Sequence, residues 1–145
     1  MSTIRLAETD AEILACFDVI HELRPHIPRE GFVARVRLQE REGYQLAYVS
    51  GARGVAAVAG FRIGTFLAWG RALYVDDLVT TEGSRSGGHG HALLEWLRAH
   101  GEREGCGQLH LDSGTFRHAA HRFYFRERME ISSFHFSCNL RSGPG

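Results

Sequence analysis

The sequence predicts an α/β (α+β) three-layer domain, a mixed β-sheet with helices on its faces, and three observations carry that prediction. Apolar runs and two-residue alternations typical of strands are interleaved with segments of helical period. The run Leu73-Tyr-Val-Asp-Asp-Leu-Val79 leads through a glycine-rich turn into His91-Ala-Leu-Leu-Glu-Trp-Leu97, the order strand, turn, helix. The 145 residues suffice to bury roughly 70% of the unfolded surface around one core, so residues 1–145 are expected to form a single domain without metals or disulfides.

Taken in order, residues 3–7 predict a first strand. Thr9-Asp-Ala-Glu12 has capping-box form, and Ile13, Cys16, Phe17, Ile20 and Leu23 recur at helical spacing, so one helix should run to about Arg24. Pro25 and Pro28 end it and open a second helix that buries Phe32, Val33 and Val36. Residues 44–50 and 55–63 flank Gly51-Ala-Arg-Gly54, a hairpin signal. Residues 64–70 turn the chain into a strand at 72–79, and Gln108-Leu-His-Leu-Asp112 gives another. A helix follows at Arg117-His-Ala-Ala-His-Arg-Phe-Tyr124. Phe134, Phe136, Cys138 and Leu140 then alternate with polar residues, which predicts a half-exposed last strand at 131–140 and a frayed tail beyond it.

Composition excludes several function classes. Net charge is +0 with histidine neutral, so nucleic-acid binding has no electrostatic support. No basic segment precedes an apolar run and no stretch of about 18 apolar residues occurs, so neither export nor membrane association is expected. Cys16, Cys106 and Cys138 are odd in number and widely spaced, which reads as reduced, mostly buried thiols in a cytoplasmic protein. His110, Asp112, His118 and His121 match no structural zinc spacing, so no metal is expected.

The glycine-rich turn carries the chemistry. A helix start presents unpaired N–H groups and the positive end of the macrodipole, and Gly87, Gly88 and Gly90 let a phosphate approach the backbone. Arg85 adds a forked, permanent cation suited to phosphate oxygens. A P-loop would need a lysine, and all 17 Lys+Arg residues here are arginine; the spacing of a dinucleotide-binding fingerprint is also missing. The polar pair Asp76 and Asp77 interrupts an apolar strand, so at least one of them should be functional or networked. As neighbours in a strand they should point to opposite faces. The pair could equally cap loop amides or bind an arginine.

With this order of elements the chain resembles the GNAT superfamily of acetyl-CoA-dependent N-acetyltransferases. The family motif R/Q-x-x-G-x-G/A is matched from Arg85 to Gly90, and the later N-x-x-A-x-x-x-Y motif at Ala120 and Tyr124. Arg117 stands where Asn is usual, and Arg128-Met129 where Gly-Phe is usual. The resemblance implies a splayed sheet that admits the pantetheine arm of acetyl-CoA, whose amides would pair with backbone groups of Leu78, Val79 and Thr80. Arg85, Ser86, Gly87, Gly88, His89, Gly90 and His91 would hold the pyrophosphate. It further implies direct transfer of the acetyl group to a primary amine of a small molecule or peptide, with Tyr124 as the acid that protonates the departing thiolate. In polyamine-type members the first residue of an acidic pair at this place activates the amine, which makes Asp76 the preferred base, acting through water; Asp77, His110 or water alone remain alternatives. A homodimer is expected because family members often are, with the last strand at the contact. The competing reading is an inactive acyl-CoA-binding regulatory or partner-binding module. Arg24, Glu30 and Tyr44 are candidates for lining the acceptor pocket, though no motif supports them.

Overall fold

Strand pairing sets the architecture. The computed structural model describes residues 3–141, and in it five strands form one sheet in chain order: β1 (Ile4–Leu6), β2 (Gln45–Gly51), β3 (Gly54–Phe66), β4 (Gly70–Thr80) and β5 (Gln108–Leu111). The first three pairings are antiparallel and β4 with β5 is parallel, so the sheet is mixed as expected. The chain divides into two compact units, Met1–Leu111 and Asp112–Gly145. The whole sheet belongs to the first.

In that unit α1 (Asp10–Ala15) starts at the predicted capping box: Glu12 N–H donates to Thr9 Oγ1 at 3.1 Å, and Thr9 N–H donates to Glu12 Oε1 at 3.0 Å. The expected continuous helix is instead two. At Cys16 the N–H reaches Ile13 O at 3.0 Å, a three-residue turn that tightens the helix, and α2 (Phe17–Leu23) starts afresh. The next helix opens later than Pro28 because Gly31 adopts a left-handed φ of 82°, which no helix interior tolerates, and α3 (Phe32–Glu40) begins immediately after it.

Two cores cover the two sheet faces. Ile13, Phe17, Ile20, Phe32 and Val36 pack with Leu46, Tyr48 and Val58 on one face. Phe61, three residues along β3 from Val58, points the other way and meets Trp96 and His100 of α4 (His89–Arg103) edge-on at 6.0 and 5.4 Å. Leu93, Leu94 and Leu97 of the same helix are fully buried. The expected three layers are present.

Two irregularities of β4 shape the site. β5 pairs only from Ala72↔Gln108 to Val75↔Leu111, whereas β4 continues to Thr80 on β3 alone. In addition, Gly60 opposes Asp77 and Phe61 opposes Val75, which leaves Asp76 as an extra, bulged residue.

In the second unit α5 spans His118–Arg126. The predicted last strand is absent: residues 129–140 form no ladder, and Phe134, Phe136, Cys138 and Leu140 are exposed. Alternation supplies a two-faced strip, but a strand also needs a partner, and none pairs with it among the described residues. The thiols are therefore less buried than expected, since only Cys16 is fully buried. The tail at 142–145 lies outside the described residues. Among them, no helix is long and apolar enough to cross a membrane.

Candidate active site

The end of β4 and the start of α4 meet after Thr80. The chain leaves β4, makes a 3₁₀ turn over Glu82–Gly87, and enters α4 through Gly88 at φ 75°. Among the described residues no side chain caps this helix, and its first four-residue bond runs from Ala92 N–H to Gly88 O, so the N–H groups of His89 and Gly90 have no intrahelical acceptor. Gly88 is needed for its left-handed backbone. A Cβ at Gly87 would lie 2.9 Å from His89 Nε2 and would displace only that imidazole. His91 occupies the first turn of α4, and Ser86 lies within the 3₁₀ turn.

Glu22 of α2 anchors the start of this turn, a role that no motif in the chain signals. Its carboxylate accepts from the Thr81 hydroxyl and from Glu82 N–H at 3.0 Å. Arg85 donates from Nε to Thr80 O at 3.3 Å, and its Nη2 stands 3.9 Å from Glu22, with the side chain still 63% exposed. The guanidinium is thus held beside the helix start and open to an anion. Leu78, Val79 and Thr80 lie just before it, where among the described residues β4 has no strand paired on its β5 side. An extended arm with amide groups fits that edge, and a phosphate fits the helix start; the residues present suit acetyl-CoA.

The acidic pair faces one cavity of about 380 Å³ in the first unit, lined by Arg24, Tyr44, Asp76 and Asp77 among others. The expectation of opposite faces fails because the bulge at Asp76 breaks the alternation. Arg62 grips Asp76 with Nε and Nη2, at 3.1 Å from Oδ1 and 2.8 Å from Oδ2. Asp77 accepts from Arg24 Nε at 2.9 Å and from the Tyr44 hydroxyl at 2.7 Å. Arg24 also donates to the Asp76 carbonyl at 3.0 Å. Desolvation and the adjacent Asp77 hold the Tyr44 phenol far above its ordinary range, so it remains a donor. The hydrogen bonds to Asp76 raise the Arg62 guanidinium further.

Arg24 and Tyr44 therefore do line this cavity, and Glu30 lines an adjoining groove. Sequence reasoning misses Arg62, although a lone arginine within the apolar run of β3 is itself a sign of a paired partner. It misses Gly60 too: a Cβ there would sit 1.8 Å from Tyr44 Oη, so only glycine lets the phenol cross β3 to Asp77. His110 stacks on Trp69 at 3.5 Å and contacts Gln108 Oε1 at 2.6 Å, and it does not line the cavity.

In the second unit Tyr124 lies on α5 with its ring against Phe123 at 5.5 Å. Burial raises its phenol above the ordinary value of 10.0, and Arg117, where the family motif has Asn, opposes that rise.

The acetyltransferase (GNAT) family model matches residues 8–129. A Bacillus subtilis (strain 168) protein, the uncharacterized N-acetyltransferase YhdJ, is 31% identical over 109 residues, 74% of this chain and 77% of its own. The glucosamine-6-phosphate N-acetyltransferase of Arabidopsis thaliana superposes with a TM-score of 0.77 at 20% identity, covering 97% of this chain and 99% of that one. An aminoglycoside N-acetyltransferase in complex with CoA gives 0.81 at 11% identity, with 97% of each chain covered. At these identities the two solved structures show the fold.

Proposed function

The chain belongs to the GNAT acetyltransferase family and is an acyltransferase, and from that premise we propose that it moves the acetyl group of acetyl-CoA directly to a primary amine of a small molecule or peptide. The observation that carries this reading is the uncapped start of α4 at Gly88, with Arg85 beside it and the unpaired end of β4 before it. Because the family match runs from residue 8 to 129, across both units, we treat residues 1–145 as one such domain.

N-acetylation needs a neutral amine, a polarised thioester carbonyl and a proton for the leaving thiolate. Acetyl-CoA supplies the activated acetyl group. Leu78, Val79 and Thr80 offer backbone groups to its arm, and Arg85, Ser86, Gly87, Gly88, His89, Gly90 and His91 form the pyrophosphate cradle. Tyr124 holds the proton at Oη; its raised pKa keeps the phenol protonated throughout the physiological range, so the proton is available as negative charge develops on sulfur. Asp76 accepts the amine proton through water, which must use the carboxylate lone pairs that Arg62 leaves open. No metal has a part in this scheme.

We further read the protein as cytoplasmic and homodimeric. The exposed Phe134, Phe136 and Leu140 of the C-terminal segment support a second copy as their cover. Light scattering should give twice the chain mass at micromolar concentration; a stable monomer removes the dimer.

Calorimetry tests the cradle. Acetyl-CoA and CoA should bind with similar affinity, and Arg85→Ala should weaken both by about 1.5–3 kcal/mol, the worth of charge-assisted bonds to phosphate. Unchanged CoA affinity in folded Arg85→Ala and Gly88→Val variants would overturn the assignment.

A further inference from the structure

The balance of charge in the cavity at Asp76 and Asp77 points to a class of acceptor. Asp76 is matched by Arg62 through two hydrogen bonds, and Asp77 by Arg24 and the Tyr44 hydroxyl. Both carboxylates are therefore neutralised from within the protein, and every carboxylate oxygen already accepts a bond. Arg35 and His26 also line the cavity, and neither makes a side-chain hydrogen bond or ion pair among the described residues. Two arginines and two carboxylates line the cavity, and Arg62 pairs Asp76 from outside the lining, so among the described residues Arg35 is the lining cation left without a carboxylate partner; His26 lines the same cavity. Glu30 and Glu42, the acidic groups of the adjoining groove that Arg35 also lines, do not reach into this cavity's lining.

Such a cavity is a poor host for a polycation. A second ammonium would meet carboxylates that are already paired and an arginine that is not. An acceptor with an amine at one end and an anion at the other fits instead. We propose that the acceptor carries a carboxylate or phosphate group, and that Arg35, which shares the cavity lining with His26, is the specificity-determining site that receives this anion. The inference rests on reading the cavity as the acceptor pocket of the acetyl transfer, and it argues against the polyamine-type substrates that an acidic pair on this strand suggests.

Matched acceptors test it. With acetyl-CoA and thiol release as the readout, 4-aminobutanoate and 2-aminoethyl phosphate are compared with butylamine and 1,4-diaminobutane, in wild type, Arg35→Gln and Arg35→Lys. Arg35 is exposed on α3, so both variants should fold. The wild type should prefer an anionic acceptor by about ten-fold or more in kcat/KM, the scale of one charge-assisted hydrogen bond. Arg35→Gln should collapse the ratio and Arg35→Lys should restore part of it. The carboxylate and phosphate arms identify which anion is received. Equal or better use of butylamine or 1,4-diaminobutane, or a preference that survives Arg35→Gln, overturns the inference and leaves acetyl transfer standing. The second measurement is calorimetric titration of N-acetyl-4-aminobutanoate against N-acetylbutylamine in the presence of CoA. An anion preference lost in Arg35→Gln upholds the inference even if no amine in the panel is acetylated, in which case the transfer reading fails alone. No preference there overturns it.

Discussion

Replacing Gly60 by alanine should be among the most disruptive single-methyl changes in this protein. The backbone at Gly60 is not in the left-handed region, so alanine is conformationally acceptable and the cost is purely one of space. The new Cβ would lie 1.8 Å from Tyr44 Oη, 2.4 Å from Cζ and 2.7 Å from Cε1. To reach even the 3.0 Å floor for such contacts the hydroxyl must retreat by about 1.2 Å. Tyr44 is 4% exposed and packed in the core, so that movement strains its neighbours, at about 1–3 kcal/mol. It also breaks the 2.7 Å bond to Asp77, a bond to a charged group worth about 1.5–3 kcal/mol. Together these give a loss of about 3–5 kcal/mol, a large share of the stability of a domain this size. In urea unfolding the midpoint should fall by roughly 2 M at an unchanged slope. A double-mutant cycle isolates the cause: in a Tyr44→Ala background, Gly60→Ala should cost within about 0.5 kcal/mol of nothing. Wild-type unfolding of Gly60→Ala, or equal costs in the two backgrounds, would refute the packing argument.

The same kind of contact sets other expectations. Tyr124→Phe keeps the ring and deletes the donor, so kcat should fall by roughly 10²-fold or more with CoA affinity nearly intact; steady-state kinetics beside calorimetry separates the two, and unchanged kcat would exclude the phenol as acid. The Glu12 carboxyl is held down at about 2 against an ordinary 4.5, chiefly by the Thr9 backbone N–H and then by the Tyr48 hydroxyl. A depressed carboxyl stabilises the fold above its unfolded pKa, and that stabilisation is lost as pH falls from about 4.5 towards about 2. Urea midpoints measured at neutral pH and in this acidic window should converge in Glu12→Gln relative to wild type. His100 acts in the same direction at higher pH: burial lowers its pKa below 6.5, so protonation on acidification opposes the fold, and His100→Gln should soften the decline just below that value.

Where local chemistry decides an element, the sequence is readable. The capping box at Thr9 and Glu12, the hairpin at Gly51 to Gly54 and the path from β4 through Gly88 into α4 are each written in residues that can adopt few other conformations. What escapes is decided between segments. The bulge that turns Asp76 and Asp77 into one cavity arises from the register of β3 against β4, and no pattern within β4 announces it. Glu22 reaches Thr81 and Glu82 across 59 and 60 positions, and Arg24 reaches Asp77 across 53, distances over which periodicity says nothing. The turn at Cys16 interrupts a helical pattern that contains neither glycine nor proline, so propensity has no reason to stop there. The alternation at 131–140 describes side chains correctly as a two-faced strip, but pairing is a property of a neighbour.

Direct transfer is tested most plainly by following a labelled acetyl group. Wild-type protein is incubated with deuterated acetyl-CoA and a panel of primary amines, and the mass of every component is read over time. The expected result is label on an amine, free CoA released in equal amount, no stable label on the protein, and a rate cut by about 10²-fold in Tyr124→Phe. CoA binding without label reaching any amine, or label lodged on the protein as a discharging intermediate, would contradict direct acetyl transfer.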